Sequence, residues 1–150
     1  MDRNTGSGLS FAKRIYLPRS IGLGIGFFCV AAALWPQRPD TWVWALLVFN
    51  GFFWPHLAFQ LARLSATPFK AERRNLLVDS VFGGFWAAAM QFNVLPSVTI
   101  LAMMAMNNIA AGGARFFAKG CLAMLVGMIM LGEAAGTYRV SQIVDAAPEL

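Results

Sequence analysis

Five long apolar runs dominate this chain and leave few folds open to it. They cover residues 17–35, 42–62, 76–91, 96–111 and 116–131. A helix needs about 20 apolar residues to cross the hydrocarbon core of a bilayer, and each run has or approaches that length. The sequence therefore predicts an all-α integral membrane protein, a multipass bundle of about five transmembrane helices.

The composition agrees with a membrane location. Hydrophobic residues make up 58% of the 150 residues, charged residues only 13%, and the mean hydropathy is +0.59. A typical soluble domain has about 25% charged residues. Because no polar linker divides the chain, we predict a cytoplasmic N-terminal segment at residues 1–16, one membrane domain at 17–131 and a polar C-terminal tail at 132–150.

Basic residues mark one side of the predicted bundle. Ten of the twelve Lys and Arg, all except Arg38 and Arg139, lie before or at the start of the first run, in the second gap, or in the fourth gap and the first turn after it. The positive-inside rule then places the N-terminus in the cytoplasm. Basic residues confined to gaps favour an anionic membrane surface, and not nucleic acid, as the partner. The residues predicted to anchor this face are Arg14, Arg19, Arg63, Lys70, Arg73, Arg74, Arg115 and Lys119.

Asp79 needs an explanation, because a charged side chain inside the bilayer costs about 3 kcal/mol or more. One interpretation is local: Asp79 lies about 7 Å along its helix from Arg74, close enough to reach the basic face. A second interpretation places it in a buried polar cluster with residues at similar depth on neighbouring helices. The predicted members are His56, Gln60, Asp79, Asn107 and Asn108.

Such a cluster has two candidate roles. It can join three helices as a structural clasp, or it can sense a ligand or a proton, because a histidine beside an acid titrates near neutral pH. Pro55, next to His56, predicts a helix kink because it removes a backbone donor.

The sequence shows no motif for catalysis or for metal binding. It lacks a P-loop, a GxSxG turn and an HExxH motif, Cys29 and Cys121 lie apart, and one histidine cannot form a metal site alone. We therefore predict no catalytic residue, no metal site and no cofactor in these residues.

Several separate blocks of sequence carry a family resemblance. They are RIYLPRSIGLGIGF at 14–27, NGFFWPHLAFQLAR at 50–63, AERRNLLVDSVFGGFWAA at 71–88, LPSV at 95–98 and AMNNIAAGG at 105–113. In this order and spacing they resemble the membrane-associated sensor domain of the second type. The resemblance implies an N-terminal module of the bacterial inner membrane, with six helices, that regulates a cytoplasmic diguanylate or adenylate cyclase. The positions it singles out are Pro55, His56, Arg73, Arg74, Asn75, Asp79, Asn107 and Asn108.

The chain departs from the family pattern after residue 131, where a polar tail replaces the final helix and no GGDEF motif follows. We therefore expect a sensory or anchoring module without catalytic activity of its own. Its expected partners are the lipid bilayer, a cyclase effector that is fused or separate, and, as one option, a second copy of itself. Two alternatives stay open: a small transport or channel subunit that uses Asp79 and His56, and a non-functional remnant of a truncated cyclase.

Overall fold

The described residues form five α-helices and two short connecting turns. The structure, a computed structural model, describes the backbone of residues 3–145 and the side chains of residues 6–133. No strand occurs among the described residues, so the predicted all-α class is confirmed. The helices are α1 (Arg3–Leu34), α2 (Thr41–Val48), α3 (Trp54–Leu64), α4 (Pro68–Ala89) and α5 (Val94–Asp145).

A π-helical turn, Phe49–Phe53, joins α2 to α3, so that Thr41–Leu64 is one continuous apolar helix. The turn ends immediately before Trp54 and Pro55, at the place where the sequence predicts a kink. Pro55 has no amide hydrogen, and the wider π-helical turn adapts the backbone to that missing donor. Trp54, the first residue after the turn, is buried.

Helix α5 contains a chain reversal and consists of two helical halves, 94–111 and 114–145. Gly112 and Gly113 interrupt it. Gly113 has φ +66° and ψ −162°, a backbone conformation that residues other than glycine rarely adopt. The two halves lie side by side. Gly120 in the second half is so close to Asn108 in the first that a Cβ atom on it would collide with the Asn108 side chain. The reversal falls within the gap predicted between the fourth and fifth apolar runs.

Three helices in the described part of the chain are long and apolar enough to cross a membrane: Gly6–Gln37, Thr41–Leu64 and Val94–Glu133. This count is lower than the five spans predicted, for two physical reasons. The third run lies in α4, whose first turns carry charged residues that lower its mean hydropathy. The fourth and fifth runs share the single interval Val94–Glu133, which folds back on itself at Gly112 and Gly113.

The basic segments of the chain meet at one end of the bundle. The rings of Phe11 on α1 and Phe69 on α4 have centroids 5.0 Å apart. The guanidinium carbon of Arg73 lies 4.4 Å from the ring centroid of Phe116, just after the reversal in α5. The start of α1, the start of α4 and the reversal in α5 are therefore neighbours, and we call this region the basic end.

Two apolar clusters flank the middle of the bundle. The smaller one lies at the basic end, where Ala12, Ala62 and Ala71 allow α1, α3 and α4 to approach closely. The larger one lies towards the opposite end and includes Val30, Leu34, Val43, Leu47, Trp86, Met90, Ile100, Met104 and Met124. Buried polar side chains lie between these two clusters.

Candidate functional site

An arginine on α1 bridges two acids on α4. The Nη2 atom of Arg19 lies 2.5 Å from Oε1 of Glu72, and its Nε atom donates to Oδ2 of Asp79 at 2.8 Å. All three residues are buried, with 7%, 0% and 4% of their surfaces exposed. Glu72 and Asp79 are seven residues apart, about two helical turns, so both face α1. The planar guanidinium group can bind two carboxylates at once, which a lysine ammonium does less well.

Trp54 adds a third helix to this arrangement. Its indole N–H donates to Oδ1 of Asp79 at 2.6 Å, so both carboxylate oxygens of Asp79 have a donor. Tryptophan combines a large apolar surface with one donor, and a buried indole usually finds an acceptor. Asp79 thus joins α1, α3 and α4, and we call Arg19, Trp54, Glu72 and Asp79 the ionic network.

The ionic network is important because its charges lie in an apolar surrounding. Removing one partner of a buried ion pair costs about 3–5 kcal/mol, since the remaining charge is left without compensation. The net stabilisation by such a pair is much smaller, because desolvation of both charges opposes their attraction. The network therefore specifies how α1, α3 and α4 sit against each other more than it adds to total stability.

The structure does not assemble the polar cluster predicted from sequence. His56 is exposed and forms a hydrogen bond of 2.8 Å with the hydroxyl of Tyr16. Gln60 is also exposed. Both lie on the same helix as Trp54, but His56 is two residues further on, about 200° around the helix axis. Similar depth in the bundle was therefore not enough, because the side chains point in different directions.

The two asparagines separate in the same way. Asn108 is buried and donates to the hydroxyl of Ser80 at 2.8 Å, one residue after Asp79. Asn107 is exposed and lines a cavity beside Arg19. Of the five predicted members, only Asp79 lies in the ionic network. Asn108 forms a hydrogen bond with Ser80, the residue that follows Asp79.

Two further polar contacts support this part of the bundle. Asn75 donates to the carbonyl oxygen of Ala58 at 2.8 Å and ties α4 to α3. The indole N–H of Trp86 donates to the side-chain oxygen of Asn50 at 3.0 Å, which ties α4 to the π-helical turn. Both asparagines are buried, so these bonds satisfy groups that would otherwise be costly to bury.

The residues predicted to anchor the basic face have different surroundings. Arg19 is buried in the ionic network, and Arg73 is half-buried over the Phe116 ring in a cation–π contact. Arg14 is exposed at the mouth of the cavity that Arg19 also lines. The remaining predicted anchors are all exposed: Arg63, Lys70, Arg74, Arg115 and Lys119.

Two members of the ionic network are not predicted by the sequence pattern, and a third, Arg19, is predicted from it only as an anchor of the basic face. Glu72 lies among Lys70, Arg73 and Arg74, so in the sequence it looks like part of a solvated charge cluster. Trp54 lies in an apolar run, and nothing in the sequence marks its indole as a donor to Asp79. The signal that points to Arg19 is its place inside the first apolar run, which makes it a second intramembrane charge and a natural partner for Asp79.

Apolar helices that a buried ionic network holds together define an integral-membrane helical module. Among the described residues, no group of three or more His, Cys, Asp or Glu side chains is arranged to hold a metal ion. The chain belongs to the MASE2 domain family, a family of membrane-associated sensor domains, which it matches over residues 14–102. That segment contains every member of the ionic network, and the match confirms the family predicted from the sequence blocks.

Two curated relatives extend the comparison beyond the family segment. The chain is 42% identical over 130 residues to "Probable diguanylate cyclase DgcC" of Escherichia coli strain K12. It is equally similar to the protein of the same name from Escherichia coli O6:H1 strain CFT073. Each alignment covers 87% of this chain and 35% of the relative, so the chain spans about a third of these relatives. No solved structure matches the chain.

Proposed function

We propose that this chain is the sensory and anchoring module of a bacterial cyclic-nucleotide signalling system and acts on a diguanylate cyclase. The observation that carries the proposal is the identity of 42% across 130 residues to relatives named as diguanylate cyclases. Because the alignment leaves most of each relative outside it, and this sequence has no GGDEF motif, cyclase chemistry belongs to another domain or another chain.

The membrane placement is part of the proposal. The module lies in the bacterial inner membrane with its N-terminus and its basic end in the cytoplasm. Support comes from the clustering of basic residues of α1, α4 and α5 at one end, which favours the cytoplasmic side. A separate effector would meet this end directly, and an effector fused after α5 would need one further crossing. A homodimer stays a prediction and is not required.

The ionic network supplies a physical basis for signalling. A stimulus can shift an equilibrium only when it interacts differently with two arrangements of the helices. Arg19 is the only described residue that forms ion pairs from α1 to α4. Anything that competes for its guanidinium group would therefore loosen α1 from α4 and change the surface that the basic end presents to an effector.

A segment exchange tests the proposal. The 130-residue aligned segment of the Escherichia coli relative is replaced by the matching residues of this chain, and cyclic di-GMP production is measured in isolated membranes. We expect the chimera to remain in the membrane and to produce cyclic di-GMP. We expect Asp79→Asn in the chimera to change that output, whereas Gln60→Ala, an exposed change outside the network, leaves it unaltered.

Two results would contradict the proposal. One is a chimera that is correctly inserted, as judged by membrane fractionation, yet produces no cyclic di-GMP while the parent relative does. The other is an output that responds to neither Asp79→Asn nor Arg19→Gln, because the module would then serve as an anchor without a sensory role.

A further inference from the structure

A groove runs between α1 and the first half of α5, and its charged lining residues all lie at one end. A cavity of about 410 Å³ occupies the basic end, where its polar lining residues are Arg14, Arg19, Asp79 and Asn107. The rest of its wall is largely apolar and includes Phe11, Ile15, Leu76, Met103, Ala110 and Ala111.

The groove continues towards the opposite end of the bundle. A second cavity, of about 600 Å³, shares Gly22 and Met103 with the first and reaches Ala33. Apart from Ile25, its wall on α1 is made of small residues, and a Cβ atom on Gly26 would meet no neighbouring atom within 4 Å. From Phe11 to Ala33 the groove follows α1 for about 33 Å, close to the thickness of the hydrocarbon core.

Arg19, which lines the polar end of the groove, has a donor without a partner. Its Nη1 atom is buried and has no hydrogen-bond partner among the described residues. A buried donor without an acceptor is costly, so an acceptor placed in the cavity would be stabilising. Asp79 already accepts bonds from Arg19 Nε and from Trp54. The Glu72 carboxylate, which also lacks a hydrogen bond, lies closest to Nη2 and not to Nη1.

The charges at this end favour an anionic head group. Arg14 and Arg19 balance the two acids of the ionic network, and Arg73 adds a further positive charge beside Gly112, next to the lining residue Ala111. Guanidinium groups match phosphate oxygens in geometry as well as in charge. A free anion would leave the long apolar part of the groove empty.

We propose that this groove binds one anionic phospholipid. Its phosphate accepts hydrogen bonds from Arg14, from Arg19 Nη1 and from the Asn107 amide, and one acyl chain lies along Gly22, Gly26 and Met103. The lipid would contact Arg19, the residue that pairs with Glu72 and Asp79. A regulatory role for the lipid therefore rests on the proposed function. The fraction of anionic lipid in the membrane would thereby affect the ion pairs of the ionic network.

Binding is tested on the whole chain, purified in a neutral detergent and titrated with phosphatidylglycerol, with bound lipid counted by native mass spectrometry. We expect one phosphatidylglycerol to bind more tightly than phosphatidylcholine with the same acyl chains. Arg14→Gln is expected to weaken binding about tenfold, the effect of losing one charge-assisted hydrogen bond. Gly26→Leu is expected to weaken it about tenfold by displacing two acyl methylenes.

Matched variants separate the groove from the general surface. Lys13→Gln removes a neighbouring exposed charge that does not line the cavity, and Gly24→Leu adds the same side chain to a part of α1 outside both cavities. Both should bind phosphatidylglycerol as the unmodified chain does. Equal binding of the two lipids, equal losses in the controls, or binding of glycerol 3-phosphate as tight as that of phosphatidylglycerol would each overturn the proposal. None of these results bears on the link to a cyclase.

Discussion

Losing Arg19 should destabilise this bundle more than losing either of the acids that it contacts. It faces Glu72 and Asp79 together, so the three charges sum to one negative charge. Loss of the arginine leaves two buried carboxylates facing each other without compensation. Loss of either acid leaves one balanced pair. The two kinds of substitution should therefore have unequal effects on folding.

Arg19→Gln is expected to lower the free energy of unfolding by about 3–5 kcal/mol, the usual cost of a broken buried ion pair. Asp79→Asn keeps the size of the side chain, leaves Arg19 paired with Glu72 and should cost clearly less. Thermal unfolding in detergent, followed by circular dichroism, measures both. His56→Ala, at an exposed position, should stay within about 0.5 kcal/mol of the unmodified chain. An Asp79→Asn variant as unstable as Arg19→Gln would refute this account of the charge balance.

The helices α4 and α5 depend on glycine to pack closely. A Cβ atom on Gly84 would collide with the backbone carbonyl of Met124, and one on Gly127 would collide with the carbonyl oxygen of Val81. Side-chain rotation cannot relieve a collision with backbone, so α4 and the second half of α5 would have to separate. The glycines of α1 are different, because Gly24 and Gly26 have open space around them.

Gly84→Ala is expected to destabilise the chain by about 1–3 kcal/mol, the range for added volume in a well-packed core. Gly24→Ala makes the same chemical change in the middle of α1, where no atom opposes it. It should be neutral or stabilise by up to about 1 kcal/mol, because alanine favours the helix. The thermal midpoint should therefore fall for Gly84→Ala and stay unchanged or rise for Gly24→Ala, and an equal fall in both variants would show that the contact between α4 and α5 does not limit stability.

The helices themselves could be predicted from the apolar runs, whereas the pairing of their polar side chains could not. The gap between the fourth and fifth runs marks the reversal at Gly112 and Gly113. Two glycines followed closely by Arg115 are a sequence signal for the end of an apolar helix. Hydropathy did not show that α1 begins at Arg3, since it measures apolar length and not where a helix starts. The rotation of α3, which turns Trp54 inward and His56 outward, depends on the π-helical turn before Pro55 and leaves no pattern in the sequence.

On the scale of the whole molecule, charge is distributed unevenly between the two ends of the bundle. The starts of α1 and α4 and the reversal in α5 bring most of the basic residues together, while the opposite end has an apolar core and few charges. Residues 94–133 reverse direction halfway, and α4 packs against both halves, through Gly83 on the first and Gly84 on the second. These three segments therefore run alongside one another, which requires α4 to cross the bilayer if both halves of α5 do.

Cysteine labelling decides between three crossings and five. Cys29 and Cys121 are replaced by alanine, and single cysteines are placed at exposed positions of the two ends: Lys70 and Lys119 at the basic end, Asp40 and Gln91 at the other. If α4 and both halves of α5 cross, a maleimide that cannot pass the inner membrane should label Asp40→Cys and Gln91→Cys in intact cells. Lys70→Cys and Lys119→Cys should react only after the inner membrane is opened, because the positive residues remain in the cytoplasm. Labelling of positions 70 and 91 from the same side would show that α4 does not cross, and labelling of position 70 in intact cells would reverse the proposed orientation.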